Sequence, residues 1–379
     1  MKQNKKKIAI LALHMNFGGV ENAIATKASM LAKNYDVEIV SLYKSNLPIP
    51  FNIDKNVKIK YLMNDISNRQ EFLDYLKKGR LIKTFKEGLK SVKILSNKDR
   101  LMKEYIVNSN AFVIISTRYS FSKLLNKYGN KDILKIHEQH VYDITDNYIN
   151  NLNKLKNIDY IMPVSNNLYQ EYLKRLNNKD TLEFIPLALN YYPKDNELSN
   201  LNNKNLIAVG RLDKIKGYDD LIKVMSLVCK KDKDIKLNLF GDGPEKENLI
   251  KLINEYKLND NIKLWGFQTP EFIKEYYQNS ALYVMTSHEE SFGLVVIEAM
   301  SYGLPCILFD SAKGPLDVVN NTNGYIIKDR NIDEMANTIL KYMNLKNKVS
   351  FGVNARNSVE KYKFENVQSK WLEFLKRVI

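Results

Sequence analysis

Short apolar runs alternate with amphipathic stretches along the whole chain. The runs at 7–13, 37–43, 57–62, 112–116, 133–136, 160–164 and 182–185 are rich in Ile, Val and Leu. They have the length and composition of strands buried in a parallel sheet. The stretch 22–32 between the first two has helical spacing, so the chain opens strand, loop, helix, strand. A polar segment with Pro193 and no apolar period covers 191–204 and reads as a linker. The alternation then restarts. Strands are predicted at 205–209, 235–240, 261–265, 281–285, 305–309 and 324–327. Helices are predicted at 218–230, 244–256, 270–278, from 332, and at 364–378. The pattern predicts an α/β protein of two doubly wound halves.

The chain has 379 residues, enough for two full cores, and 44% hydrophobic content. Its net charge is +15. Richness in Lys and Asn accounts for much of that, and the surplus suits an anionic partner: a membrane surface, a nucleic acid or a phosphorylated substrate. Cys229 and Cys306 lie far apart in apolar surroundings and read as reduced core residues. No run reaches transmembrane length. The run 8–13 after Lys5, Lys6 and Lys7 is too short for a secretion signal and is followed by His14 and Asn16, so a first strand and a cytoplasmic protein are expected.

The segment 77–103 carries ten basic residues (Lys77, Lys78, Arg80, Lys83, Lys86, Lys90, Lys93, Lys98, Arg100 and Lys103) against two acids, Glu87 and Asp99. Ile82, Phe85, Leu89 and Val92 recur at helical spacing. Such a helix either packs on its own domain with a solvated basic face, or rests on anionic lipid.

In open parallel sheets, ligands sit beyond the carboxyl ends of the strands. Five loops fall there. Gly18-Gly19 before the first helix lets backbone amides approach a ligand, or simply turns the chain. Gly210-Arg211-Leu212-Asp213-Lys214-Ile215-Lys216-Gly217 offers an arginine fork and a lysine point charge to one diphosphate. Phe240-Gly241-Asp242-Gly243-Pro244 is a second glycine loop. Trp265-Gly266-Phe267 could flank a planar base or pack as core. The fifth is His288 to Pro305, in which Glu290 and Glu298 are separated by seven residues. The amides of Ser291, Phe292, Gly293 and Leu294 would be the free donors of a helix N-terminus. Glu298 is the one acid in an otherwise apolar helix, and such an acid needs a partner or a ligand. Glu290 either caps that helix or reaches a sugar; Glu298 is either salt-bridged in the core or accepts from ribose hydroxyls.

Taken in order, Gly-Arg-Leu-x-x-x-Lys-Gly, Phe-Gly-Asp-Gly-Pro, Trp-Gly-Phe and Glu-x7-Glu resemble the family 4 retaining glycosyltransferases of the two-domain GT-B fold, in their bacterial surface-glycan form. Gly-Gly-Val-Glu near the N-terminus is similar too. The resemblance spans the chain and concentrates in 205–320. It implies two Rossmann-like domains with a cleft between them: residues 1–190 on the acceptor side, the linker 191–204, a nucleotide-sugar domain at 205–362, and a final helix at 363–379 crossing back so that Trp371 packs on the first domain. It implies a hexosyltransferase that uses a nucleotide-sugar, with a UDP-sugar the expected donor, a glycan or lipid-linked glycan as acceptor, and a role in cell-surface polysaccharide synthesis such as capsule or lipopolysaccharide. No metal or other cofactor is implied, because Arg211 and Lys216 take the charge of the leaving diphosphate. Carried over by motif, Glu290 meets the sugar hydroxyls, Glu298 the ribose, and Gly18 and Gly19 the diphosphate from the acceptor side; Gly243 and Phe267 join the donor loops. A histidine of the first domain belongs near the sugar, and His137 and His140 both fit. The lipid-linked acceptor would give 77–103 a place on the inner face of the plasma membrane.

Three other readings compete, one of them a catalytically dead nucleotide-binding module, which intact Glu290, Arg211 and Lys216 oppose. A GT-B nucleotide-sugar epimerase is opposed by Glu-x7-Glu together with the Arg/Lys pair. A basic nucleic-acid-binding protein would need a recognised binding motif, and none is seen, so no nucleic acid is expected as a partner.

Overall fold

A computed structural model describes residues 5–44, 48–64, 76 and 78–379, with the side chains of 81, 82, 87 and 89–96 left aside. Two compact units emerge. The first holds Met1–Val164, Tyr169–Ile185 and Gln368–Ile379; the second holds Ser165–Leu168 and Pro186–Val367.

The first unit is built on a parallel sheet of β1 (Lys7–Ala12), β2 (Asp36–Tyr43), β3 (Lys58–Met63), β4 (Val113–Ser116), β5 (Leu134–Gln139) and β6 (Tyr160–Pro163), in the order β3-β2-β1-β4-β5-β6. Ile8 to Ala12 are fully buried, as a central strand covered on both faces requires. Helices α1 (Gly19–Leu31), α2 (Leu81–Val107), α3 (Tyr119–Tyr128), α4 (Asp146–Leu152) and α5 (Asn166–Arg175) make the connections among the described residues. The order reverses between β1 and β4, which makes the loops after those two strands the natural ligand loops of this unit.

The second unit repeats the plan with β7 (Asn205–Val209), β8 (Lys236–Phe240), β9 (Ile262–Gly266), β10 (Leu282–Met285), β11 (Cys306–Phe309) and β12 (Gly324–Ile327), ordered β12-β11-β10-β7-β8-β9. Its helices are α6 (Tyr218–Lys231), α7 (Lys246–Glu255), α8 (Pro270–Gln278), α9 (Leu294–Ser301), α10 (Ile332–Met343) and α11 (Val349–Ser358). Here the order reverses between β7 and β10. The loop with Arg211 and Lys216 follows β7, and the loop with Glu290 follows β10, so topology places both at one switch point.

Helix α12 (Phe364–Val378) buries Val367, Trp371, Phe374 and Leu375, a stripe at helical spacing. Within the first unit, the Phe374 ring meets Tyr160 edge-on at 4.9 Å, and Gln368 donates to the Met30 carbonyl at 2.6 Å. Cys229 and Cys306 are buried free thiols.

Several predicted boundaries move. The run 182–185 is no strand: Leu182 makes one isolated bridge to Ile161, because the chain there leaves the sheet edge after a single contact. Strand β5 continues three residues past Ile136 and takes in His137. Helix α1 starts at Gly19 rather than 22, and α7 at Lys246 rather than 244. Helix α11 is absent from the predicted elements, since Val349–Ser358 mixes polar and apolar residues without a clear period. The stretch 191–204, read as a linker, is bonded into the second unit. Ser199 and Asn200 donate their amides to Tyr302 and Gln278, Arg356 grips the Pro193 carbonyl and Asp195, and Leu201 is buried. Its polar side chains serve the backbone of their own unit.

Candidate functional site

In the second unit, three loops lock together. Leu212, fully buried, anchors the loop after β7, and its amide donates to the Asp242 carbonyl at 3.0 Å. Gly241 (φ 138°) lies against the Gly210 carbonyl and Gly243 against that of Leu212, so closely that neither could carry a side chain. The Gly243 amide is taken by Asp242 Oδ1 at 2.8 Å. Close packing therefore requires glycine at this position, one of those expected to line the donor site.

The same loop is fastened to the one after β10. Thr286 Oγ1 donates to the Lys216 carbonyl at 3.2 Å, and the His288 amide to that of Ile215 at 2.7 Å. This brings Lys216 Nζ to 2.5 Å from Glu290 Oε2, with both side chains about four-fifths covered. Glu290 is thus no helix cap: the N-cap of α9 is Gly293, with no side-chain bond. Arg211 is largely exposed, with Nε 3.7 Å from Asp213.

Gly293 stands at φ 83°, a left-handed conformation that glycine adopts freely, and a Cβ there would meet Pro315 Cγ at 2.5 Å. The Gly314 amide donates to the Glu290 carbonyl at 2.9 Å, and Gly314 packs on the Ser291 backbone. The Gly314-Pro315 turn is therefore the seat of the acidic loop, a role the sequence reading missed. The Phe292 ring is buried, edge-on to Tyr362 at 5.4 Å, so this residue can offer a ligand only its backbone. The amides of Ser291, Phe292, Gly293 and Leu294 have no backbone acceptor among the described residues. They form the donor end of α9.

Glu298 makes no ion pair among the described residues, so the expectation of a core salt bridge fails as an alternative. Burial pushes its carboxyl up to about 7. It is an acid in the second turn of α9 with no ion pair or side-chain hydrogen bond among the described residues. Trp265 is packing: its ring stacks on Phe240 (5.9 Å, 6°), Lys263 lies 3.4 Å above it, and Nε1 donates to Asn238. Phe267 remains about half exposed.

In the first unit, Gly18 and Gly19 lie exposed at the start of α1. The Glu21 carboxylate fills the space a side chain on Gly18 would need, whereas nothing crowds Gly19. Glu21 lies 3.4 Å from His14 Nδ1 and 3.9 Å from Arg118, and burial raises its pKa. Neither candidate histidine is the solvated loop residue that was the alternative for each; both are buried. His137 points between sheet and helix. Ser122 Oγ sits 2.7 Å from its Nδ1 and Gln139 Oε1 2.9 Å from its Nε2, so both nitrogens are engaged, and burial lowers its pKa to about 4. His140, one residue past the strand, gives Nε2 to Glu138 Oε2 at 2.8 Å, while its Nδ1 has no partner among the described residues. The other oxygen of Glu138 pairs with the buried Lys27 ammonium, which lies 4.7 Å over the Trp371 ring. Burial, then the charges of Lys27 and Arg118, keep His140 well below the usual imidazole range. It is a neutral ring with one nitrogen to offer.

The structure of Staphylococcus aureus TarM, determined with Fondaparinux, α-GlcNAc-glycerol and UDP, superposes with a TM-score of 0.76 over 97% of this chain and 99% of that one, at 20% identity. The fold is GT-B. The profile of the family "Glycosyl transferases group 1" matches residues 194–362. An uncharacterized glycosyltransferase of Haemophilus influenzae is 29% identical, covering 97% of this chain and 99% of its own length. The poly(ribitol-phosphate) alpha-N-acetylglucosaminyltransferase of Staphylococcus aureus is 30% identical over 72% of this chain, which spans 56% of that enzyme. Together these matches support a GT-B glycosyltransferase. Among the described residues no helix is long and apolar enough to cross a membrane.

Proposed function

We propose that this GT-B protein is a family 4 retaining hexosyltransferase that moves a sugar from a UDP-sugar to a glycan or lipid-linked glycan acceptor in surface-polysaccharide synthesis. The observation that carries the reading is the Lys216–Glu290 pair at the second unit's switch point, on the loop whose next residues, 291–294, have unspent amides. UDP in the TarM structure and the polyol-phosphate acceptor in the name of the Staphylococcus relative support the donor and acceptor class.

In this scheme the second unit holds the donor. The diphosphate takes the amides of residues 291–294 together with Arg211 and Lys216. As the bond from the anomeric carbon to the diphosphate oxygen breaks, negative charge grows on the leaving group, and fixed positive groups stabilise that change more than the ground state. A diphosphate at Lys216 competes with Glu290 for the ammonium. Donor binding therefore frees the Glu290 carboxylate to accept from sugar hydroxyls. Glu298 accepts from the ribose. The first unit receives the acceptor, with Gly18 and Gly19 lining its approach. His140 is its candidate acting histidine, because both nitrogens of His137 are occupied.

The test is nucleotide release from a panel of UDP-, GDP- and ADP-sugars with product analysis. Release of UDP with glycan growth is expected. Release from no UDP-sugar, or isomerised sugar without transfer, overturns the proposal. Glu290→Gln and Lys216→Ala are each expected to lower kcat by about 100-fold or more while the fold stays intact, as removal of one transition-state donor does elsewhere; circular dichroism and turnover measured together check this.

A further inference from the structure

Arg330 lies far in sequence from every motif named above, yet it sits under the donor loops. One arm of its guanidinium donates to the Ser287 carbonyl at 3.1 Å and to Ser311 Oγ at 3.0 Å. The other donates to the Thr286 carbonyl at 3.0 Å and to Asp220 Oδ2 at 2.5 Å. Its face lies 4.6 Å from the Phe309 ring. A single planar fork thus joins the ends of β10 and β11 to the first turn of α6. Lysine, a point charge on a flexible stem, cannot hold two carbonyls in a fixed plane this way.

What the fork holds leads straight to the proposed chemistry. Thr286, whose carbonyl Arg330 grips, bonds through its hydroxyl to the Lys216 carbonyl. Ser287 is three residues before Glu290, and Ser311 Oγ also donates to the Ser287 carbonyl at 2.9 Å. Gly217, next to Lys216, stands at φ 61° and lies so close to the Thr286 carbonyl that a Cβ there would also meet the Arg330 guanidinium at 2.8 Å. The backbone is bent to make the contact. Asp329 (φ 51°) and Arg330 (φ 52°) are consecutive non-glycine residues in the left-handed region. Such strain persists only where surrounding contacts over-determine it, and it gathers at sites whose geometry matters.

We propose that Arg330 is a positioning residue for the donor site, fixing the end of β10 and thereby the placement of Glu290 against Lys216. This inference rests on the donor-site reading above. Arg330 acts through the two loops and touches no substrate.

The test is a double-mutant cycle on turnover, with thermal melting as the check on folding. Arg330→Lys is expected to lower kcat about 10- to 100-fold, the scale of a sub-ångström to ångström misplacement. In a Glu290→Gln background it is expected to add little, because the group it positions is already disabled. A full multiplicative loss in the double variant overturns the positioning role while leaving the donor site intact. A silent Glu290→Gln overturns the donor-site reading and this inference with it. If Arg330→Lys loses its cooperative melt, Thr286→Val replaces it in the cycle. It removes the hydroxyl that carries the grip across to Lys216, and the same non-additivity with Glu290→Gln is expected; independent losses refute the proposal.

Discussion

Glu298 is where charge, burial and pH meet most directly. Burial raises its pKa to about 7, so the folded chain keeps its proton up to that pH while the unfolded chain loses it near the ordinary carboxyl value of 4.5. Between those values the folded state binds the extra proton. The stabilisation is complete below about 4.5 and is lost as pH rises through about 7. Glu298→Gln has no such titration. It is expected to gain melting temperature relative to the parent as pH rises from 5 to 8, which differential scanning at the two pH values would show. UDP affinity of the parent is expected to rise over the same interval, since an ionised carboxylate accepts ribose hydroxyls more strongly. Calorimetric titration of the variant at pH 8 is expected to show about 10-fold weaker UDP binding, and equal affinity would remove Glu298 from the ribose site.

At the level of elements, α12 is fastened to the first unit through one buried charge. Trp371 covers the Lys27 ammonium, Lys27 pairs with Glu138, and Glu138 holds Nε2 of His140. Removing one partner of a buried ion pair strands the other, so Lys27→Met is expected to cost about 3–5 kcal/mol. Replacing both, as Lys27→Met with Glu138→Met, is expected to recover most of that stability. Turnover separates the two effects: the double variant folds but leaves the His140 ring without the carboxylate that orients it, so kcat stays low. Urea denaturation and turnover of the same three proteins check both halves.

For the whole molecule, the charge of +15 has an outlet in α2. Lys83, Phe85, Lys86, Arg100 and Lys103 are exposed there, with Phe85 at 69%; Lys77 lies outside the described residues, as do the side chains of Ile82, Leu89, Lys90, Val92 and Lys93. An exposed aromatic ring among lysines suits the membrane-resting reading of 77–103. Sedimentation with vesicles is expected to bring the protein down with anionic lipid and not with zwitterionic lipid, the difference fading as salt is raised. Equal weak binding to both would reject it.

The strands of both sheets were legible because a central parallel strand must be apolar on both faces, and 7–13 or 281–285 cannot be much else. Arg211, Lys216 and Glu290 were legible as polar residues in loops following such strands. Order along the chain also fixed the paired carboxylates. What sequence could not give was partnership at a distance. Arg330 follows an unremarkable strand, and nothing local says that its fork reaches back to Thr286 and Asp220. Gly314 and Pro315 look like an ordinary turn until they prove to be the seat of Gly293. His137 and His140 are three residues apart and were equivalent as letters; the sheet register buried one with both nitrogens engaged and left the other with one nitrogen unpartnered. The sequence alone determined which segments must bury their backbone and which chemistry-bearing side chains lie just past them, because both follow from local pattern. Only the tertiary structure decided which of those side chains spend their hydrogen bonds on the protein and which keep them for a ligand, because that depends on groups tens or hundreds of residues away.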